Sequence, residues 1–292
     1  IFMQDYYKSA STISRMNEII LQTLKQQFLE ISENKVKDIN QNFQIKNQLV
    51  GLKDDISFKD KPALLLEIFL LFQKNKDIEG IDAKTIGLIT NNLQLINKDF
   101  RRKIEHKEIF LEILKAPEGV THELRRMNLY GVLGHYIPAF GLIEGRMQYD
   151  LFHAFTVDEH TLRLIENFDN ILTGKMEKEH PISTKIAKNF SKDQIVILYL
   201  ACLLHDTGKG QGDQCIEGAQ LGRRACRRLG VNQDTTDTVA WLIRRHLDMS
   251  ETAQRRDISD TDTIKEFAEL VGSQERLDMI TVLTTVDIRA VG

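Results

Sequence analysis

His205-Asp206 is the most chemically loaded dipeptide in the chain, an imidazole and a carboxylate at the end of a run, Ile195 to Leu204, that is apolar on every side. Two ionisable side chains at the end of a buried helix are costly unless something compensates them. Imidazole and carboxylate are ordinary ligands for divalent ions, so a metal would do so; a structural His–Asp hydrogen bond is the alternative. Three more residues follow the same rule. His160 shares a helical face with Val157, Leu164 and Phe168, His246 closes a stripe of Val239, Leu242 and Ile243, and Asp287 follows Ile280 and Leu283. Any one of them alone reads as a satisfied core residue. Together they send a His or Asp inward from four separate helices, which predicts one polar site in the centre of a bundle. The separations from His160 to His205, His246 and Asp287 in turn are 45, 41 and 41 residues, long enough for each helix to return to that centre.

The elements that must position these groups read as helices. Thr156 and Glu159 have capping-box spacing, which starts a helix with His160 in its first turn. Ser191 can cap the buried run, and the glycines of Thr207-Gly208-Lys209-Gly210 stop it. In the first half, Ile13, Met16, Ile20, Leu24, Phe28 and Ile31 recur at spacings of three and four. Phe43 to Leu52 alternates weakly and suggests a small strand or hairpin. Pro62 suits the first position of a helix that ends near Gly80, and helical segments continue from Asp82 to about Leu114. The expected fold class is therefore all-α, with at most a small hairpin. Ala116-Pro117-Glu118-Gly119 marks the best boundary, with 1–115 a helical connector or support and 116–292 the chemical domain.

Composition narrows the function classes. The 292 residues carry 39 Lys+Arg against 42 Asp+Glu, a net charge of −3 that argues against nucleic-acid packaging. The longest apolar run, Ala63 to Phe72, has ten residues, interrupted by Glu67, where a membrane span needs about 20. No secretion leader opens the chain, and Cys202, Cys215 and Cys226 cannot all pair and follow no zinc-finger spacing, so a cytoplasmic location is expected. A first residue that is not Met, and an apolar run stopping at Gly292, suggest a piece of a longer protein. His122, His135 and His153 read as structural or surface residues.

The order His160, His205-Asp206, Asp287, with "LLHDTGKG" on a buried helix, resembles the HD superfamily of metal-dependent phosphohydrolases. "LRRMNLYGVLGHYIPAFG" (124–141), "MQYDLFHAFTVDEHTLRL" (147–164) and "TAQRRDISD" (252–260) are similar to the HD region of bacterial bifunctional uridylyltransferase/uridylyl-removing enzymes, and "FMQDYY" and "PALLLEIFLLFQ" (62–73) to the helical stretch before it. The resemblance implies an HD-type helical bundle behind a helical connector, with the transferase domain outside this segment. It implies hydrolysis of a phosphodiester, releasing UMP from a tyrosine of the uridylylated PII nitrogen-signal protein. His160, His205, Asp206 and Asp287 would hold a divalent ion, Mg or Mn by association with the family, while the mixed donors also suit Fe, Co, Ni or Zn. Asp206 would orient the attacking water or accept its proton, and Lys209 would neutralise charge on the phosphoryl oxygens unless it is merely a solvated loop lysine.

His246 would ligate a second ion or donate to the phosphate, with structural burial the plainer reading. Arginines pair at 223–224, 227–228, 244–245 and 255–256; most such pairs are solvated faces, and Arg245, beside His246, is the preferred substrate contact. One departure stands out. After "HDTGKG" the chain is a residue shorter than the family pattern and places Gln214 where a histidine is expected, which puts a second metal position or substrate phosphate binding in question. Two other readings compete: an HD hydrolase of free nucleotides or alarmones, and a catalytically degenerate regulatory module.

Overall fold

The computed structural model describes residues 2–29, 36–75, 77–147 and 155–291. The chain divides into two compact units, Ile1–Gly141 and Leu142–Gly292. Ile31 and His153 lie outside the described residues, as does the side chain of Phe28.

The first unit begins with α1 (Phe2–Leu29). Strands β1 (Val36–Asp38), β2 (Phe43–Lys46) and β3 (Leu49–Leu52) follow, then α2 (Leu64–Lys74), β4 (Gly80–Ile81), α3 (Ala83–Asn91), α4 (Ile104–Lys115), α5 (Val120–Leu129), α6 (Val132–Tyr136) and α7 (Pro138–Gly141). The hairpin expected near 43–52 is β2–β3, turned through Asn47 and Gln48, both with positive φ. It belongs to a larger sheet of order β1-β2-β3-β4, in which β4 runs parallel to β3 after α2 has crossed over. That parallel strand corrects the expectation of a helix reaching Gly80: α2 stops at Asn75, whose side-chain amide donates to Leu71 O, and the chain then joins the sheet. Pro62 lies in the turn before α2, its carbonyl accepting from Leu65 N–H at 3.0 Å.

Helix α1 forms as its period predicts, but its stripe does not face a core. Ile13, Met16, Ile20 and Leu24 are 42–59% exposed. Arg15 and Glu18, on the opposite side, turn inward: Tyr130 donates to Glu18 at 2.8 Å, and the Arg15 guanidinium lies by Gly131. Packing also moves the division between units beyond the Pro-Gly turn at 116–119. Helix α5, which follows that turn, packs on α2 and α4 through buried Val120, Leu124 and Met127, so α5 to α7 belong with the first unit.

The second unit is helical: α8 (Val157–Leu172), α9 (Pro181–Ala187), α10 (Lys192–Leu204), α11 (Gln214–Leu229), α12 (Gln233–Arg245), α13 (Asp248–Arg255), α14 (Thr261–Val271) and α15 (Gln274–Arg289). Helix α10 is its axis, packed against α8, α11, α12 and α15 and buried without a break from Val196 to Leu204. The capping box at its start is present: Ser191 accepts from Gln194 N–H, and the Gln194 side chain accepts from Ser191 N–H. The box expected at Thr156 and Glu159 is not. Thr156 is the N-cap residue, but its side chain makes no cap bond, and Glu159 is taken by Arg163 at 2.9 Å. Helices α11 and α12 pack tightest, because Gly218 and Gly222 of α11 let Ile243 of α12 approach the backbone; a Cβ on Gly222 would overlap the Ile243 side chain. Among the described residues, no helix is long and apolar enough to cross a membrane.

Candidate metal centre

Three helix ends converge in the second unit. His205 is the C-cap of α10, His246 is the C-cap of α12, and Asp287 lies in the last turn of α15. Helix C-termini carry partial negative charge from unpaired carbonyls, so the main chain already favours a cation here. The fourth element, α8, contributes His160 from its first turn. His160, His205, Asp206 and His246 are all buried, and Asp287 retains 18% side-chain exposure.

The histidines share one device. His205 Nδ1 lies 2.8 Å from Cys202 O and His246 Nδ1 2.7 Å from Ile243 O, each the carbonyl three residues back on its own helix. His160 Nδ1 lies 3.3 Å from Ala290 O, at the end of α15. A carbonyl only accepts, so each Nδ1 that faces one carries a proton, and Nε2 is the ring nitrogen turned to the centre. Carboxylates wait there. His160 Nε2 is 3.0 Å from Asp287 Oδ1 and 3.8 Å from Asp206 Oδ2; His205 Nε2 is 3.2 Å from Asp206 Oδ2 and 3.8 Å from Asp287 Oδ1; His246 Nε2 is 3.8 Å from Asp206 Oδ1. Among the described residues, the buried His205 Nε2 makes no hydrogen bond. With each Nδ1 already given to a carbonyl, a cation among the Nε2 atoms and the carboxylate oxygens, a proton or a metal ion, satisfies both sets. One ligand atom each from His160, His205 and Asp206 lies within 4.8 Å of the others, close enough to share an ion.

The titration of these groups follows the same geometry. Burial would push Asp206 up, but His205, Lys209 and His246 outweigh it and hold its carboxyl well below the usual carboxylate range. Asp287 is also lowered, burial being overcome by the His160 hydrogen bond and the nearby His205 ring. His205 is raised, because Asp206 and Asp287 outweigh the desolvation that opposes its charge. His246 is lowered, by burial first and then by His205. A donor set of three imidazole nitrogens and two carboxylates, with each Nδ1 fixed by a carbonyl, fits a divalent ion.

Other expected residues fall in different places. Lys209 is 11% exposed, with Nζ 2.6 Å from Asp206 Oδ2, so it is tied to the carboxylate and is no solvated loop lysine. Arg245 is held by Asp248 at 3.1 Å. Gln214 opens α11 behind the N-cap Asp213, and its carbonyl packs on Gly208 of the loop. The loop also brings up an arginine outside the pairs that sequence spacing singled out: the Arg146 guanidinium lies over Gly210. No period or motif marks Arg146, since only the tertiary fold brings it there.

Residues 43–136 match the family described as the uridylyltransferase GlnD third domain, and residues 157–282 match the HD domain. The chain is 44% identical over 290 residues to the bifunctional uridylyltransferase/uridylyl-removing enzyme of Nitrosococcus oceani, and 42% identical over 291 residues to that of Methylococcus capsulatus. These alignments take in 99% of this chain and 32% and 33% of the respective relatives, so the chain spans about a third of their length. With a third-domain match in one unit and an HD match around the converging histidines, the chain is similar along nearly its whole length to part of the bifunctional uridylyltransferase/uridylyl-removing enzymes.

Proposed function

We propose that the second unit, residues 142–292, forms the hydrolytic domain of a cytoplasmic, metal-dependent phosphodiesterase that removes UMP from a uridylylated PII protein, with the first unit as its helical support. The observation that carries this reading is the set of three Nε2 atoms turned to Asp206 and Asp287, each imidazole oriented by a backbone carbonyl. His160, His205, Asp206 and Asp287 would hold the ion, Mg or Mn first among candidates, with His246 beside the second oxygen of Asp206. When bound, such an ion supplies Lewis acidity to a water and to a phosphoryl oxygen.

The chain's own groups do the rest. Asp206, kept ionised by its neighbours, presents an oxygen that can orient the attacking water. Lys209, anchored on Asp206 at 2.6 Å, places an ammonium where charge grows on the phosphoryl oxygens. Burial of the three imidazoles keeps bulk water from competing for the donors. Incubating Mn-loaded protein with UMP-tyrosyl PII and, separately, with free dinucleotides and alarmones tests the assignment. Release of UMP from the protein substrate supports it, faster turnover of the free nucleotides favours a small-molecule hydrolase, and no turnover of either favours a degenerate module.

A further inference from the structure

Arg146 is fixed between the two elements that carry the first metal-site residues. Its N–H donates to Ile143 O at 3.0 Å, and its carbonyl accepts from Val157 N–H at 2.8 Å, three residues before His160. Met147 and Thr156 continue the pairing as an antiparallel bridge. From this anchored backbone the side chain crosses to the loop after His205-Asp206, where the guanidinium lies over Gly210. Glycine suits that position for two reasons: its φ is +75°, and a Cβ there would displace the guanidinium from where it lies. The neighbouring residue, Lys209, is the one that reaches Asp206. Arg146 is half-buried, and among the described residues its guanidinium has no hydrogen-bond or ion-pair partner.

A guanidinium is always charged, presents a planar fork of donors and suits two oxygens of one phosphate. Held against a glycine and partly withdrawn from water, it has already lost much of the side-chain freedom that binding would otherwise remove. The other arginine near the site, Arg245, is occupied by Asp248, and Lys209 is occupied by Asp206. We infer that Arg146 is the phosphate anchor of the site, gripping the non-bridging oxygens of the scissile phosphodiester and of the UMP that leaves. This assignment rests on the phosphodiesterase reading above.

The test uses the whole Mn-loaded chain with Arg146→Ala, Arg146→Gln and Arg146→Lys. Turnover of uridylylated PII and of a small chromogenic phosphodiester, thymidine 5′-monophosphate p-nitrophenyl ester, is measured beside calorimetric binding of UMP. Losing a charge-assisted hydrogen bond should lower kcat/KM by about 10- to 100-fold for both esters in the Ala and Gln variants. UMP affinity should weaken in parallel, Lys should restore part of both, and metal content and melting temperature should stay as in the wild type. Values of kcat/KM and UMP affinity within about twofold of wild type in Ala and Gln overturn the assignment. So does a loss that tracks lost metal or lost folding, because the arginine would then be structural. A wild type that turns over neither ester and binds no UMP overturns the hydrolase reading, and this assignment falls with it.

Discussion

Replacing Asp206 by Asn exchanges one oxygen for an NH2 group and removes the charge around which the centre is built. Its Oδ2 sits 2.6 Å from Lys209 Nζ and 3.2 Å from His205 Nε2, and its Oδ1 faces His246 Nε2 at 3.8 Å. In the wild type, an ion present at a hundred times its Kd should stabilise the folded state by about 2.7 kcal/mol. In a unit this size each kcal/mol moves Tm by about 2–4 °C, so saturating Mn should raise the melting temperature by about 5–11 °C. Loss of a supporting residue alone commonly lowers metal affinity about 10- to 100-fold, and loss of a charged ligand should do no less. A 100-fold loss brings the same Mn concentration down to Kd, where the gain is only about 0.4 kcal/mol. The thermal shift should therefore shrink to about 1–2 °C. Without metal, the variant should also melt below the wild type, because the largely buried Lys209 ammonium loses its carboxylate. Scanning calorimetry of stripped and Mn-titrated protein, with metal content measured in parallel, provides the assay. Full metal occupancy and a wild-type thermal shift in Asp206→Asn would refute the assignment of Asp206 as a ligand.

Three further outcomes are expected. His205→Ala should lose most bound metal and His246→Ala less, since His246 Nε2 stays 3.8 Å from Asp206 Oδ1 while His205 Nε2 is 3.2 Å from Oδ2; equal retention in both, by elemental analysis, contradicts this ranking. Gln214→His should raise affinity for a second ion with little effect on Tm, and identical Mn stoichiometry and phosphodiesterase rates would place position 214 outside the site. In the first unit, burial pushes Glu123 from 4.5 up to about 7 despite Arg126 at 2.7 Å. The folded state thus holds this proton more tightly than the unfolded chain, so its contribution is complete below about pH 4.5 and is lost as pH rises through about 7. The loss is at most about 3 kcal/mol. Glu123→Gln should remove that slope and gain on the wild type at pH 8 but not at pH 4.5; an unchanged pH–stability profile counts against a buried, protonated Glu123.

Much of the centre was legible in the sequence because His160, His205, His246 and Asp287 each interrupt an otherwise apolar stripe, and burial of a polar group needs a reason. The buried run of α10 and its Ser191–Gln194 cap were legible as local patterns. The Thr156–Glu159 spacing was equally good on paper, but Glu159 had a competitor at i+4 in Arg163, and the side-chain pair won. The two-residue strand Gly80–Ile81 has no period to read, and it exists only because α2 returns the chain alongside β3. The α1 stripe shows the converse: periodicity announces a helix with two faces, while Arg15 and Glu18 decide which face turns inward. Arg146 left no sequence signal at all, since its meaning lies in a glycine 64 positions away.

The seam between α11 and α12 links a hydrocarbon contact to coordination chemistry. Ile243 rests its side chain on Gly222 and lends its carbonyl to His246 Nδ1 at 2.7 Å. The aim of one imidazole is thus gauged by the thickness of a neighbouring backbone. A single methyl at position 222 would overlap the tip of the Ile243 side chain, and any displacement that reached the Ile243 carbonyl would re-aim the ring through that hydrogen bond, with no ligand replaced. Ions differ in how strictly they demand geometry, Mg²⁺ holding nearer to an ideal octahedron than its softer competitors. Evolutionary drift at this apolar position would surface as an altered choice of metal, in a protein whose every coordinating residue was intact.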